Sequence, residues 1–244
     1  INCNKIPKNK KRKQHPKLKL FLKILLIIFL LFCVAGAGIV SAMMFGLFGN
    51  DFEITKEELI VGNSNTIVLD KDGNEIANLS TDENRKTISL SEMSPYLPKA
   101  YIAIEDKRFY SHSGVDIKRT AGAILGAVTG NSSYGGSSIT QQLVKNLTGD
   151  ATDSITRKVT EWWKAWQLET CLSKDEILDT YLNIIYIGPS IYGVEAGSEY
   201  YFNKSVQNLT LEECAFLAGI NNSPNSYNPF SDKDNSSKII NRTK

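Results

Sequence analysis

The chain has 244 residues, of which 28 are basic and 26 acidic, so its formal net charge is +2. This length accommodates one sizeable domain and an appendage. The first 23 residues hold nine Lys or Arg and no acid, whereas the remainder holds 19 basic and 26 acidic side chains, a net charge of −7. A basic tail of this kind could bind nucleic acid, but the segment that follows it argues for a membrane instead.

An uncharged segment of 27 residues, Ile24 to Asn50, follows the tail. At about 1.5 Å per residue, a helix of this length crosses a hydrocarbon core of about 30 Å. A cleaved signal peptide is the alternative, since residues 35–37 resemble a cleavage site, but signal h-regions are usually only about 7–15 residues long. Because Lys and Arg on one side keep that side in the cytoplasm, we expect a cytoplasmic tail over residues 1–23. The single-pass anchor then covers residues 24–50 in the cytoplasmic membrane, and the body is extracytoplasmic.

The four cysteines are too scattered for a disulfide framework or a Cys-rich metal site. Cys3 lies in the tail and Cys33 in the predicted span, so only Cys171 and Cys214 share a compartment. Their spacing matches no metal-binding motif, and we expect both to be small apolar residues of the core. The body has a single histidine, His112, and therefore no Cys/His cluster.

Residues 51–90 are predicted to be a linker that contains a β-hairpin. Its strands are Thr66–Leu69 and Glu75–Leu79, and Gly73 between them supplies the positive φ of a tight turn. From residue 91 to residue 244 the pattern predicts a mainly helical domain.

Three helix starts in this domain are marked by local signals. Ser94 followed by Pro predicts one start, and capping boxes that begin at Ser173 and Thr210 predict two more. The chain starts without Met and stops at Lys244, where another helix is predicted to open. We therefore expect that the domain is truncated at its C-terminus.

The first of three polar clusters lies where a largely apolar helix ends, and it runs from Glu105 to Gly114. A carboxylate at Glu105 would be partly desolvated, which makes it a better acceptor or donor of a proton. The alternative is an acidic helix end on a solvated surface, and the residues alone leave both interpretations open.

The second cluster runs from Gly135 to Asn146, where glycines and hydroxyls lead into a helix. Free backbone N–H groups at such a helix start suit a phosphate. Lys145 lies further along the same helix and adds a positive charge. A flexible loop followed by a polar helix face is an equally good interpretation of these residues.

The third cluster runs from Arg157 to Glu169. Its members Arg157, Glu161 and Lys164 are spaced at i, i+4 and i+7, so they share one face of a helix. Taken alone, such a face is usually a salt-bridged solvent surface.

Together the clusters resemble glycosyltransferase family 51, the peptidoglycan glycosyltransferase domain of class A penicillin-binding proteins and monofunctional transglycosylases. Five motifs occur in that family's order, the second with Ser138 where the family usually has Thr. They are Glu-Asp-x-x-Phe-x-x-His-x-Gly at 105–114, Gly-x-Ser-x-Ile-Thr-Gln-Gln-x-x-Lys-Asn at 135–146, Arg-Lys-x-x-Glu with Leu-Glu at 157–169, Ile-Leu-Asp-Thr-Tyr-Leu-Asn from 177, and Leu-Glu-Glu-Cys-Ala-Phe-Leu-Ala from 211. The resemblance implies a mainly α, lysozyme-like domain, preceded here by one transmembrane helix and the hairpin linker.

The resemblance also implies a function: polymerisation of lipid II into β-1,4-linked glycan strands, with inversion and release of undecaprenyl diphosphate. Glu105 is implied as the general base that deprotonates the GlcNAc 4-hydroxyl, and Glu161 as a second catalytic carboxylate near the diphosphate. Glu161 is also the implied ligand of a divalent cation, Mg²⁺ or Mn²⁺, and no nucleotide is needed. Lys145 and Arg157 would offset the charge of the leaving group. Further implied contacts to sugar or diphosphate are Gln141, Gln142, Asn146, Ser137, Thr140, Lys164, His112 and Asp106.

The implied partners are lipid II, the growing lipid-linked glycan chain, the cytoplasmic membrane and proteins of cell-wall synthesis or division, with no nucleic acid. Two positions depart from the family pattern. Many members carry Arg where this chain has Asp153 and Gly122, and Arg119, one turn before Gly122, is a candidate replacement. These departures concern the diphosphate contacts and leave the catalytic pair intact.

Two other functions compete with this interpretation. A lytic enzyme that cleaves the same glycan also uses two carboxylates, but it needs no cationic diphosphate site, so Lys145 and Arg157 argue against it. An inactive membrane-tethered scaffold that binds lipid II would not need Glu105 and Glu161.

Overall fold

The computed structural model describes residues 16–44, 66–69, 75–79, 84–130, 135–149, 154–231 and 233–243. The chain divides into two compact units, residues 1–52 and residues 53–244.

The first unit is described by one helix, α1 (Pro16–Met44). Within it, Lys19–Gly38 is long and apolar enough to cross a membrane, and none of this stretch is buried inside the protein. The helix begins at Pro16, before the predicted span, which began at residue 24. A proline is tolerated there because it lies in the first helical turn. Residues 1–15 of the basic tail and residues 45–50 of the predicted span lie outside the described residues.

The second unit begins with the predicted hairpin. Strand β1 (Thr66–Leu69) pairs antiparallel with β2 (Glu75–Leu79), so the hairpin is confirmed. Its turn, with Gly73, lies outside the described residues, as does the connector before it. A second sheet has the order β3-β5-β4 and places the end of the linker against the domain. Its strands are β3 (Asn84–Arg85), β4 (Tyr186–Gly188) and β5 (Ile191–Tyr192).

Helices form most of the remainder of the described second unit, which confirms the mainly α fold class. They are α2 (Leu97–Glu105), α3 (Ile117–Thr129), α4 (Ile139–Thr148), α5 (Ile155–Cys171), α6 (Lys174–Ile184), α7 (Val194–Phe202), α8 (Leu211–Ile220), α9 (Pro224–Tyr227) and α10 (Lys233–Thr243). Helix α10 is the helix that was predicted to open near the end of the chain.

The capping boxes at Ser173 and Thr210 are confirmed, since both side chains accept a hydrogen bond from the third amide of their helices. The start predicted at Ser94 is wrong. Helix α2 begins at Leu97 and has no side-chain cap. Ser94 is buried instead, and its hydroxyl donates to the Leu209 carbonyl at 3.0 Å, a partner 115 residues away.

The core forms around α4, which packs between α5 and α6, while α2 packs on α8 and α8 on α10. Fully buried side chains on these helices include Leu97, Tyr101, Ile139, Leu143, Ile177, Leu178, Tyr181, Leu182 and Leu217. Cys214 lies in this core as predicted, but Cys171 is exposed. That prediction was wrong because Cys171 is the last residue of α5, where the helix leaves the core.

Candidate active site

Glu105 is the last residue of α2, and it is half-buried between three helices. Its carboxylate oxygen Oε2 accepts a hydrogen bond from Gln142 Nε2 of α4 at 2.9 Å. Arg119 of α3 holds the backbone at the same place: Nη1 donates to the Glu105 carbonyl, and Nε donates to the Gly135 carbonyl at 2.7 Å. Glu105 is therefore a fixed carboxylate rather than a freely solvated helix end.

A hydrogen-bond chain extends from Gln142 into the core. The Tyr181 hydroxyl donates to Gln142 Oε1 at 3.0 Å, and Asn221 Nδ2 donates to the Tyr181 oxygen, also at 3.0 Å. Burial, and then the negative charge of Glu105, raises the pKa of the Tyr181 phenol well above its ordinary value. Tyr181 consequently keeps its proton and remains a donor.

Glu161 of α5 is a buried carboxylate, 5% exposed, that accepts hydrogen bonds from three donors. Its oxygen Oε1 accepts from Gln141 Nε2 at 3.0 Å and from Lys158 Nζ, and Oε2 accepts from Arg157 Nη1 at 2.7 Å. Lys158 Nζ also donates to Ser137 Oγ at 2.9 Å. The carboxylate thus holds two cations in place and joins α5 to the loop before α4.

Lys158 was not among the predicted site residues, although it lies within the third motif. The predicted helix face at i, i+4 and i+7 includes Lys164 and leaves Lys158 out. In the structure Lys164 is buried and lines neither of the two cavities beside Glu105, whereas Lys158 reaches Glu161 from three residues before it. Because residues three apart also meet on a helix, the i, i+3 spacing to Glu161 would have added Lys158 as a second candidate beside Lys164.

Two cavities meet at Glu105. The smaller, about 370 Å³, has six charged side chains in its wall: Glu105, Glu161, Arg119, Lys145, Arg157 and Lys158. Its uncharged polar wall includes four of the predicted contacts: Ser137, Gln141, Gln142 and Asn146. With four cations against two carboxylates, this cavity suits an anionic ligand.

The larger cavity, about 700 Å³, also has Glu105 in its wall. It shares Glu105 and Arg119 with the smaller cavity and adds charged side chains from α10 and from the segment between α2 and α3. These are Lys107, Arg108, Asp116 and Arg242. Part of its wall is apolar, including Ile104 and Ala123.

Asp106 and His112, which were predicted to contact substrate, line neither cavity. Asp106 is completely buried, and its Oδ2 accepts the Ile139 amide at 3.1 Å and the ring Nε2 of His112 at 2.9 Å. Gly114 at the end of this motif has φ 81°, and a Cβ there would lie 2.6 Å from the Ala165 carbonyl oxygen. These residues fix the loop that follows Glu105 against α4 and α5.

The backbone phosphate cradle predicted at the start of α4 is not free. The Ile139 amide binds Asp106, and Ser138, as N-cap, exchanges hydrogen bonds with Gln141 in a capping box. Thr140 is buried and donates to Glu169 at 2.6 Å, so it too lies away from both cavities. An anion in the smaller cavity would therefore be held by the cationic side chains.

The described residues do not fit a divalent ion held by the protein. No three His, Cys, Asp or Glu side chains converge in that part of the chain. Both oxygens of Glu161 already bind Gln141, Arg157 and Lys158, so an ion would have to displace these partners. A divalent ion shared between Glu161 and the diphosphate of the substrate stays a prediction.

A fixed carboxylate beside a cationic cavity is the arrangement of an enzyme that transfers a group away from an anionic leaving group. A family model described as Transglycosylase matches residues 72–244. The chain therefore belongs to the transglycosylase family, glycosyltransferase family 51.

The chain is similar to penicillin-binding proteins of several bacteria. It is 41% identical to penicillin-binding protein 1A of Clostridium botulinum (strain Langeland), over 97% of this chain and 29% of that protein. It is also 41% identical to penicillin-binding protein 1F of Bacillus subtilis, over 87% of this chain and 29% of that protein. The chain spans less than a third of the length of these relatives. A crystal structure of penicillin-binding protein 1A from Haemophilus influenzae matches 74% of this chain and 17% of that chain at 21% identity, with a TM-score of only 0.37.

Proposed function

We propose that this domain polymerises lipid II into glycan strands. The observation that carries the proposal is the position of Glu105 in the shared wall of two cavities, of which one presents four cations. A reaction that joins two lipid-linked sugars needs two substrate places with a base between them. The smaller cavity suits the lipid-linked end of the growing chain, and the larger one suits the incoming lipid II.

The chemistry requires one proton transfer and one displacement. Glu105 accepts the proton of the GlcNAc 4-hydroxyl as this oxygen attacks C1 of the MurNAc at the lipid-linked end. The new O4–C1 bond forms while the bond from C1 to the diphosphate oxygen breaks, and undecaprenyl diphosphate leaves with the electron pair. Attack opposite the leaving group inverts the anomeric centre from α to β. The leaving group is already on the substrate, so no nucleotide is consumed.

The cations stabilise the charge that develops on the departing diphosphate. Lys145, Arg157 and Lys158 surround the smaller cavity, and Glu161 fixes two of them in advance of the reaction. Pre-positioned charges of this kind lower the barrier because they need no reorganisation during the reaction.

The substrates are lipid-linked, so the domain works at a membrane surface. Helix α1 supplies a candidate anchor, and the basic residues before it favour a cytoplasmic tail with the domain outside. Two natural cysteines test this topology. A membrane-impermeant maleimide added to intact cells should label Cys171, which is exposed, and should label Cys3 only after permeabilisation. The reverse pattern contradicts the topology, and Cys171→Ser identifies the labelled site.

The direct test is polymerisation of purified lipid II by the chain in detergent without nucleotide. Glu105→Gln keeps the shape of the side chain but cannot accept the proton, and loss of a general base typically costs about 10²–10⁴-fold in rate. Glu212→Gln, an exposed carboxylate of α8, is the matched control and should retain full activity.

Three results would contradict the proposal. Shortened glycans from preformed peptidoglycan would indicate a lytic enzyme. Binding of lipid II without any turnover would indicate a scaffold. Retention of more than about a tenth of wild-type turnover by Glu105→Gln is well above what loss of a base allows, and it would remove Glu105 from the catalytic role.

A further inference from the structure

Three uncharged side chains form a line of hydrogen bonds that ends on Glu105. Asn221 Nδ2 donates to the Tyr181 hydroxyl oxygen at 3.0 Å, and that hydroxyl donates to Gln142 Oε1 at 3.0 Å. Gln142 Nε2 then donates to Glu105 Oε2 at 2.9 Å. Each link joins residues 37 to 40 positions apart, and the line runs from the C-cap of α8 through α6 and α4 to the end of α2.

The direction of this line matters because a carboxamide has one accepting end and one donating end. Tyr181 is fully buried and has a single hydroxyl proton. With Asn221 donating to its oxygen, that proton is directed at Gln142 Oε1, so the amide NH₂ group faces Glu105. The opposite orientation of Gln142 would bring its oxygen against a carboxylate oxygen, which is tolerable only when Glu105 is protonated.

We propose that Tyr181 and Asn221 are positioning residues that orient the Gln142 carboxamide and thereby keep Glu105 ionised as the base. The inference rests on the proposed function, because it assigns these residues to the same proton transfer. A hydrogen bond donated to a carboxylate favours its charged form. It also occupies Oε2, which leaves Oε1 for the substrate hydroxyl.

Other titratable groups also face Glu105 from the elements around it. They are Tyr101 of α2, Lys107, Arg108 and Asp116 of the segment between α2 and α3, Arg119 of α3, Lys145 of α4, Arg157, Lys158 and Glu161 of α5, Tyr186 of β4, and Arg242 of α10. All of them remain in place when only the Tyr181 hydroxyl is removed. A change in the pH dependence of that variant therefore reports the hydroxyl and not the surrounding charges.

The chain offers a matched pair of variants. Tyr101 is also fully buried, packs edge-on against Tyr181, and donates its hydroxyl to the Leu217 carbonyl at 3.1 Å rather than to a side chain of the site. Tyr181→Phe and Tyr101→Phe therefore each remove one buried hydroxyl and one donated hydrogen bond. Both should lower the melting temperature, but only Tyr181→Phe should change the chemistry.

For Tyr181→Phe we expect kcat on lipid II to fall roughly tenfold at neutral pH. We also expect the acidic limb of the pH–rate profile to move upward by about one unit, roughly what one hydrogen bond to a charged group is worth. The limb moves upward because the freed amide can turn its oxygen to Glu105 and stabilise the protonated form. Tyr101→Phe should leave the limb where it is and keep kcat near the wild-type value, because its hydroxyl binds a backbone carbonyl and not a side chain of the site.

A double-mutant cycle with Gln142→Ala separates positioning from packing. If Tyr181 acts through Gln142, Tyr181→Phe should cost less than about twofold once Gln142 is gone, since residues of one network are not additive. A tenfold loss in both backgrounds, or an unmoved acidic limb in Tyr181→Phe, overturns the proposal. If Tyr181→Phe does not fold, Asn221→Ala at the half-exposed end of the line gives the same readout in the same direction.

Failure of this proposal is distinguishable from failure of the function. A wild-type chain that polymerises lipid II, and a Glu105→Gln variant that does not, support the function whatever the tyrosine variants do. With those two results in hand, an additive cycle rejects the role of Tyr181 alone.

Discussion

Glu161→Gln tests whether the buried carboxylate of α5 organises the cationic cavity. The substitution keeps the shape of the side chain but removes its charge. With the new NH₂ group in the place of Oε2, facing Arg157, the Gln141 amide and Lys158 can still donate to the remaining oxygen. The main loss is therefore the negative charge between the two cationic partners.

The size of the effect follows from how much water the partners can regain. Removing one member of a fully buried ion pair typically costs about 3–5 kcal/mol. Here Glu161 is 5% exposed, but the side chains of Arg157 and Lys158 are 16% and 33% exposed, so they rehydrate in part. We therefore expect a loss of about 2 kcal/mol in the free energy of unfolding, between the buried value and that of surface pairs. For a domain of this size this corresponds to about 4–8 °C in melting temperature.

Glu105→Gln is the comparison, because Glu105 accepts only the Gln142 amide and a glutamine oxygen can still accept it. Its melting temperature should change by no more than about 2 °C, as for a neutral surface substitution, while turnover nearly vanishes. Glu161→Gln should show the opposite balance: a clear drop in melting temperature, and an activity loss divided between KM and kcat because the diphosphate cations are no longer fixed. Thermal melts and initial rates on lipid II for both variants measure all four quantities.

A Glu161→Gln protein that melts within about 1 °C of wild type would have lost less than about 0.5 kcal/mol in the free energy of unfolding, and this result refutes the anchoring role. If instead both variants lose stability and keep normal specific activity, the glutamates are structural only.

Two further predictions concern the loop behind Glu105. Gly114→Ala should lower the free energy of unfolding by more than about 3 kcal/mol in urea titrations, because positive-φ strain adds to a clash with the Ala165 carbonyl. Gly130→Ala is the control: Gly130 has φ 73° but open space around it, so the substitution should cost only about 1 kcal/mol. Burial opposes ionisation of Asp116, but hydrogen bonds from the Arg119 amide and the Arg108 guanidinium outweigh it and hold the pKa of this carboxyl below its ordinary value. The stability from Asp116 is then present above about pH 4, the ordinary value, and is lost as pH falls through the lower folded value. Asp116→Asn should therefore be less stable than wild type at pH 7, and the difference should shrink as pH falls below about 4.

The fold was predictable where the signal is local. The hairpin follows from two short segments that flank a turn sequence containing Gly, and the caps at Ser173 and Thr210 follow from a hydroxyl and a carboxylate three residues apart. The start at Ser94 failed because its hydroxyl binds a carbonyl 115 residues away. A tertiary partner of that kind leaves no mark on the neighbouring sequence.

The same limit applies to the site. Glu105, Glu161, Gln142 and Arg157 were identified by motif. Tyr181 was not assigned to the site, since it meets Gln142 only after α4 packs on α6. Spacing along one helix also could not separate Lys158, which reaches the cavity, from Lys164, which is buried. Asp106 was predicted to contact substrate through the family resemblance alone, and in the structure its carboxylate accepts the Ile139 amide at the start of α4.

Gly122 tests whether the larger cavity also binds an anionic group. It lies on α3 in the wall of that cavity, and a side chain built there meets nothing within 4 Å. Arg119, one turn earlier, was the predicted replacement for an Arg at this position, but its guanidinium is committed to the Glu105 and Gly135 carbonyls. The family's additional positive charge is therefore not fully supplied by Arg119, and Gly122→Arg should restore it.

We expect Gly122→Arg to lower KM for lipid II severalfold at low salt, with little change in kcat, because the new charge contacts the substrate but not the reacting atoms. The gain should shrink as ionic strength rises, since exposed charges are screened over about 8 Å at physiological salt. Replacing Gly in a helix also raises stability by up to about 1 kcal/mol, so Gly122→Ala is the control: it should share the higher melting temperature and keep the wild-type KM. Gly122→Glu, with the opposite charge at the same place, should raise KM. Equal KM values for the Arg, Ala and Glu variants would mean that no anionic part of the substrate approaches this side of Glu105, and the larger cavity would then have to receive only the sugar.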